Sequence, residues 1–221
     1  MPRIARTIVK DIPYHVTQRG NRRQDVFFSD EDRERYLEWM KEYVERYRLE
    51  VLAYSLMTNH VHLVAIPHSS DSLAKTLGIV HTRHSQAVNK SLGWSGHLWQ
   101  GRYYSTALDE AHLWAAIRYV ERNPVRAGMV SHAEDYYWSS AAFHVGLRPD
   151  ELIKSDSQWG RTIENWRNEL LIDDGPDMLE TLRTRTHTGF PCGDESFIEK
   201  ISELLGRSLI LRPQGRPKKA E

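Results

Sequence analysis

Two histidines separated by one apolar residue stand in the run Asn59-His60-Val61-His62-Leu63-Val64. Side chains two apart on a β-strand leave the same face, so His60 and His62 would project together while Val61 and Leu63 point the other way. Two neutral imidazoles so placed can share one divalent cation. Two partly buried histidines hydrogen-bonded in a core satisfy the same pattern, and spacing alone does not separate the readings. Several other chemistries lose their supports. A third histidine would be needed where Val64 stands for histidine-triad hydrolysis, and Cys192 is a lone cysteine, which excludes a Cys-x-x-Cys deaminase and any internal disulfide. No P-loop and no Gly-x-Ser-x-Gly elbow occurs.

A second candidate group lies in Arg118-Tyr119-Val120-Glu121-Arg122-Asn123-Pro124. Leu113, Ala116, Ile117 and Val120 form the apolar stripe of a helix, with Tyr119 at its border and Asn123 one turn further on the same side. A phenol that can act as nucleophile and an amide oxygen that can act as a hard ligand are thus offered together. If this helix covers the face carrying His60 and His62, the four side chains form one site. The same spacing also suits a tyrosine that packs and an asparagine that ends a helix before proline.

The elements that must position these groups read as mixed α and β. Tyr14 to Arg19 alternates and runs into Gly20-Asn21, a strand and turn. Ser29-Asp30-Glu31-Asp32 opens a helix striped by Tyr36, Leu37, Met40, Tyr43, Val44 and Tyr47. Residues 51–57 and 61–66 read as two strands joined around Thr58-Asn59, and residues 73–92 as a helix capped by Ser70-Asp71-Ser72. Residues 102–108 read as a fourth strand, and Asp109 opens the helix that Pro124 interrupts. The order β-α-β-β-α-β-α, without its final helix, is the ferredoxin-like split βαβ, which predicts an α+β fold: an antiparallel sheet with the helices of that part on one face. Beyond residue 148 two short helical stripes are expected, Trp159, Ile163, Trp166, Leu170 and Leu171, then Phe197, Ile198, Ile201, Leu204 and Leu205, the second capped by Asp194 or Gly193. The expected organisation is one domain over 1–148, a helical region over 149–211 and a flexible basic tail over 212–221.

With 40% apolar and 27% charged residues in 221, the composition is that of a globular chain, and no run of 18 apolar residues could span a membrane. The first residues lack a signal-like apolar stretch, so a cytoplasmic protein is expected. Thirty basic and thirty acidic side chains cancel, yet no Asp or Glu occurs between Ser72 and Leu108, where Lys75, Arg83, Lys90 and Arg102 interleave with Trp94, Trp99, Tyr103 and Tyr104. Basic groups among aromatics suit phosphate neutralisation and base stacking. Arg3, Arg6, Arg19, Arg22 and Arg23 form a basic cluster near the N-terminus, and Arg216, Lys218 and Lys219 another at the C-terminus.

These segments, taken in order, resemble the REP-associated tyrosine transposases, a branch of the single-tyrosine HUH endonucleases. The resemblance runs through Tyr14-His15-Val16-Thr17, Arg19-Gly20-Asn21, Met57-Thr58-Asn59-His60-Val61-His62, Leu98-Trp99-Gln100, Arg102-Tyr103-Tyr104, Tyr119-Val120, Asn123-Pro124-Val125-Arg126-Ala127-Gly128 and Gly215-Arg216-Pro217. It implies a metal held by His60, His62 and Asn123, Mg²⁺ or Mn²⁺ by the mixed nitrogen and oxygen set. It implies attack by Tyr119 on single-stranded DNA beside a hairpin, a repeated extragenic palindrome, giving a 5′-phosphotyrosine. A metal-bound water or His112 is the candidate base. The resemblance also implies that the domain over 1–148 is catalytic, that the helical region over 149–211 assists DNA binding and that the protein is nucleoid-associated. Arg3, Arg6, Arg19, Arg22, Arg23, Arg102, Arg216, Lys218 and Lys219 are the candidate DNA contacts, and a monomer is expected, with a dimer as the alternative. The rival readings are a domesticated hairpin-binding protein that no longer cuts and a metal-dependent hydrolase that uses water.

Overall fold

The computed structural model of the chain describes residues 8–153 and 165–209. Strand β1 (Tyr14–Arg19) is followed by α1 (Asp30–Arg46), β2 (Leu49–Met57), β3 (His60–Pro67), α2 (Ser72–Leu92), β4 (Tyr104–Ala107) and α3 (Glu110–Glu121). The elements come in the order predicted from the sequence. Helix α1 starts where a capping box requires it: Asp32 N–H donates to the Ser29 hydroxyl, and the Asp32 carboxylate accepts from Ser29 N–H. Helix α2 ends at Gly93, whose φ of 65° is the left-handed stop a glycine adopts without strain.

The strands pair antiparallel in the order β2-β3-β1-β4. Helices cover both faces of the sheet, α1 and α2 of the split βαβ on one face as expected and α3 on the other, because β3 is apolar on both sides beyond its first three residues. Val61, Leu63 and Ala65 pack with Val16 against Leu73, Leu77 and Val80 of α2 and Tyr36 and Met40 of α1. Val64 and Ile66 pack with Leu52 against Leu113, Ile117 and Val120 of α3. His60 and His62 belong to this second face, so α3 lies over it.

Proline stops α3 as expected, and one turn follows as α4 (Asn123–Arg126). After a further turn, α5 (Ala141–His144), come α6 (Trp166–Leu171), α7 (Pro176–Thr188) and α8 (Glu195–Leu204). Trp166 and Leu170 of the first predicted C-terminal stripe are buried, but Leu171 is exposed, and Trp159 and Ile163 lie outside the described residues. Ile201 of the second is buried while Leu204 is exposed, and Asp194 is the cap. Helix α7 has only a narrow apolar line and was not predicted. It packs on β4 and β1, against the sheet that carries the histidines.

Candidate active site

Register sets the site. Thr17 of β1 lies opposite His62 and Arg19 opposite His60, so His15, Thr17 and Arg19 share the histidine face. The turn after β1 is tight: a Cβ on Gly20 would sit 2.2 Å from the Gln24 carbonyl oxygen, so only glycine fits there. It brings Arg23 beside Arg19 at the mouth of a cleft of about 760 Å³ that His15, His60, His62, Tyr119, Asn123 and Arg126 line with Arg183 and His187 of α7. The four side chains singled out in the sequence therefore meet in one place within one chain.

The His60 and His62 rings are 4.9 Å apart between centroids, and the Tyr119 ring meets His62 edge-on at 5.5 Å. Tyr119 is buried at 5% exposure, held by the apolar stripe of α3. Burial lowers the His60 pKa to about 4, with the Arg19 charge adding to the effect, and lowers His62 well below its ordinary value, with His60 and His15 adding. Both imidazoles are therefore neutral at pH 7, the form that ligates metal. In each ring Nδ1 is engaged within the protein, to Asn59 Oδ1 at 2.6 Å for His60 and to His15 Nε2 at 3.0 Å for His62. That leaves Nε2 of each for the cleft.

Asn123 sits as expected beside Tyr119, but its oxygen accepts from Arg126 Nη2 at 3.1 Å, and its buried Nδ2 has no partner. A carbonyl oxygen has two lone pairs, so the bond to Arg126 leaves one for a cation. Among the described residues no three His, Cys, Asp or Glu side chains are arranged to hold a metal ion, so a cation here would rest on two imidazoles and that amide oxygen. Such a donor set fits a divalent ion with open positions for substrate and water.

Two guanidiniums that sequence reading did not assign to the site frame the phenol. Arg126 lies over the Tyr119 ring with Cζ 4.4 Å from its centroid, and Arg183 Nε donates to Tyr119 Oη at 3.4 Å. Arg126 stood inside a quoted motif, whereas Arg183 lies on a helix with no sequence signal. His15 stood in a quoted motif but was given no role, and its place beside His62 depends on register. Arg118, Arg122 and Arg126 all converge on buried Asp174, at 2.8, 3.5 and 3.3 Å.

Of the other candidates, Arg19 and Arg23 line the cleft and Arg22 is exposed just beside it. Arg102 lines a separate groove with His81, Trp99 and Tyr103 on the α2 side, not the tyrosine cleft, because the chain before β4 crosses to that face. Arg3, Arg6, Arg216, Lys218 and Lys219 lie outside the described residues. His112 is not the base beside Tyr119: two turns towards the start of α3, it bonds Asp109 at 2.6 Å and takes no part in lining the cleft.

The split βαβ sheet thus sets a His-x-His strand against a helix-borne tyrosine. Residues 8–123 match the family described as Transposase IS200 like, and the chain belongs to that family of DNA transposases. It is 24% identical over 131 residues to a Haemophilus influenzae protein named as a REP-associated tyrosine transposase, covering 54% of this chain and 72% of the relative. Its fold is similar to that of a REP-associated tyrosine transposase solved with a REP hairpin, with a TM-score of 0.57 and 19% identity over 74% of this chain and 99% of the other. No helix among the described residues is long and apolar enough to cross a membrane.

Proposed function

We propose that this protein is a metal-dependent endonuclease and strand transferase acting on single-stranded DNA beside REP-type hairpins through a covalent phosphotyrosine. The observation that carries the reading is the burial of the Tyr119 phenol edge-on to His62, with the His60–His62 pair and two guanidiniums around it. The name of the Haemophilus influenzae relative and the hairpin bound in the similar structure support the choice of substrate.

A cation on His60, His62 and Asn123, Mg²⁺ or Mn²⁺, would offset the charge of the scissile phosphate and polarise its phosphorus. Tyr119 Oη attacks in line, forming an O–P bond while the P–O3′ bond breaks. The phenol gives up its proton, and the departing 3′ oxygen takes one. The downstream strand remains on Tyr119 as a 5′-phosphotyrosine. The phosphodiester's energy is conserved in that bond, so a 3′-hydroxyl can reverse the step without a nucleotide triphosphate. Arg126 and Arg183 offset charge at the phenol and the incoming phosphate. Arg19, Arg22 and Arg23 grip the strand at the mouth of the cleft. Tyrosine and histidines come from the same chain, which supports a monomer. The helical region after residue 148 assists by adding α7 to the cleft wall.

The test is incubation of labelled REP hairpins carrying a single-stranded foot with Mg²⁺ or Mn²⁺, followed by mass spectrometry of the modified peptide. An adduct on Tyr119 is expected, with Tyr119→Phe binding hairpin but forming none. Cleavage without an adduct that persists in Tyr119→Phe would identify a water-using hydrolase. Hairpin binding without any cleavage by the wild type would identify a binding protein.

A further inference from the structure

We propose that Thr186 of α7 and His15 of β1 are positioning residues that lock His62 in the tautomer whose Nε2 faces the cleft. The inference rests on the metal-site reading above and assigns to this site a hydrogen-bond chain reaching into the C-terminal helices.

The direction of the chain follows from counting protons. The Thr186 hydroxyl has one hydrogen, and it donates to the Leu182 carbonyl at 2.6 Å. Toward His15 Nδ1, 2.7 Å away, Thr186 Oγ1 can then only accept, so His15 carries its proton on Nδ1. His15 is 1% exposed and, among the described residues, forms no ion pair with a carboxylate, so its ring stays neutral and Nε2 is an acceptor. The nitrogen facing that acceptor at 3.0 Å is His62 Nδ1, which must donate. The two rings lie within 9° of parallel with centroids 5.2 Å apart, which is compatible with a near-linear bond between the facing nitrogens. With its proton on Nδ1, neutral His62 presents a lone pair at Nε2.

His60 reaches the same state by an independent route. Asn59 Nδ2 donates to the Arg23 carbonyl at 3.1 Å, which fixes the amide so that Oδ1 faces His60 Nδ1 at 2.6 Å and accepts its proton. Two separate chains of bonds, each ending on a backbone carbonyl, therefore set both imidazoles to the same tautomer. Hydrogen-bond partners of this kind orient metal-binding histidines and raise their basicity, and losing one typically weakens metal binding 10–100-fold. For His62 the outer partner lies on α7, far beyond the nucleophile helix in sequence. This gives the C-terminal region a defined part in the site.

The proposal is tested on the full chain, free of metal, by long-range ¹H–¹⁵N correlation of the imidazoles. His62 is expected in the Nδ1–H form. Finding it in the Nε2–H form overturns the proposal and needs no variant. Mn²⁺ alone is then titrated and free Mn²⁺ followed by electron paramagnetic resonance. Thr186→Val, close to isosteric, is expected to mix the His62 tautomers and weaken Mn²⁺ binding by about tenfold or more, while Thr186→Ser keeps both as in the wild type. A Thr186→Val protein with wild-type tautomer and Mn²⁺ affinity also overturns it. A wild type locked as Nδ1–H that binds no Mn²⁺ refutes the metal-site reading and, with it, the purpose assigned to the lock, whereas wild-type binding with an indifferent Thr186→Val refutes the lock alone.

Discussion

Tyr119 is framed by two arginines that do different work. Arg126 Nη2 bonds both the Tyr119 carbonyl, at 2.8 Å, and Asn123 Oδ1, while its guanidinium covers the phenol ring. Arg183 donates to the phenol oxygen, its Cζ 5.9 Å from the ring centroid. Arg126→Lys is therefore expected to lose function although charge is kept, because an ammonium that donates to both acceptors has no planar group left to cover the phenol ring. Arg183→Gln is expected to slow adduct formation about 10–100-fold with hairpin affinity changed little, since one donor to the reacting oxygen is lost. Single-turnover rates with gel-shift affinities check both, and equal losses in rate and binding would mean that Arg183 only grips DNA. His60, His62, Tyr119 and Asn123 were legible in the sequence because each sits in a local pattern, a strand alternation or a helix repeat. Arg183, Thr186 and the role of His15 were not, because they depend on the packing of α7 on β1 and β4 and no local period encodes that contact.

At the scale of elements, helix α3 with Tyr119 is fastened to the C-terminal region by two buried carboxylates. Glu121, at the end of α3 and wholly buried, accepts from the Ser140 hydroxyl, from His144 Nδ1 and, at 2.7 Å, from the Trp166 indole of α6. Asp174, just before α7, gathers the three arginines spaced one turn apart along α3 and α4. Removing the Glu121 carboxylate leaves three buried donors unpaired, so Glu121→Ala is expected to cost about 3–5 kcal/mol. Urea unfolding measures this, and a loss below about 1 kcal/mol would show that the cluster rearranges. Asp174→Asn is expected to cost less stability but to free Arg126, showing as slower adduct formation. The core βαββαβ order and the break at Pro124 could be read from apolar periodicity and caps. The second helical layer over the sheet could not, since β3 buries both faces and its sequence does not say which helices lie on which side.

For the whole molecule, the burial of uncharged histidines makes stability depend on pH. His81 and His84 of α2 lie away from the tyrosine cleft, packed with Trp99 and Tyr36, and each has a hydrogen-bond partner: the Tyr36 hydroxyl at 3.0 Å and the Val26 carbonyl at 2.7 Å. Burial lowers their pKa values to about 3 and about 4, the His84 charge adding to the effect on His81. An unfolded chain takes up these protons near pH 6.5, whereas the folded chain does not until far lower pH. The unfolded state therefore binds more protons between about 6.5 and the folded values, and stability falls as pH drops through that window. At pH 5 each histidine removes about 2 kcal/mol of the stability present at pH 7, so the two together remove about 4 kcal/mol, a large share of the 5–15 kcal/mol typical of a folded domain. Urea midpoints of the metal-free protein at pH 7 and pH 5 measure the loss. His84→Gln, which can still donate to the Val26 carbonyl but takes up no proton, is expected to shrink the difference by about 2 kcal/mol. If the variant loses as much stability between pH 7 and pH 5 as the wild type, proton uptake by His84 is not a source of the acid sensitivity.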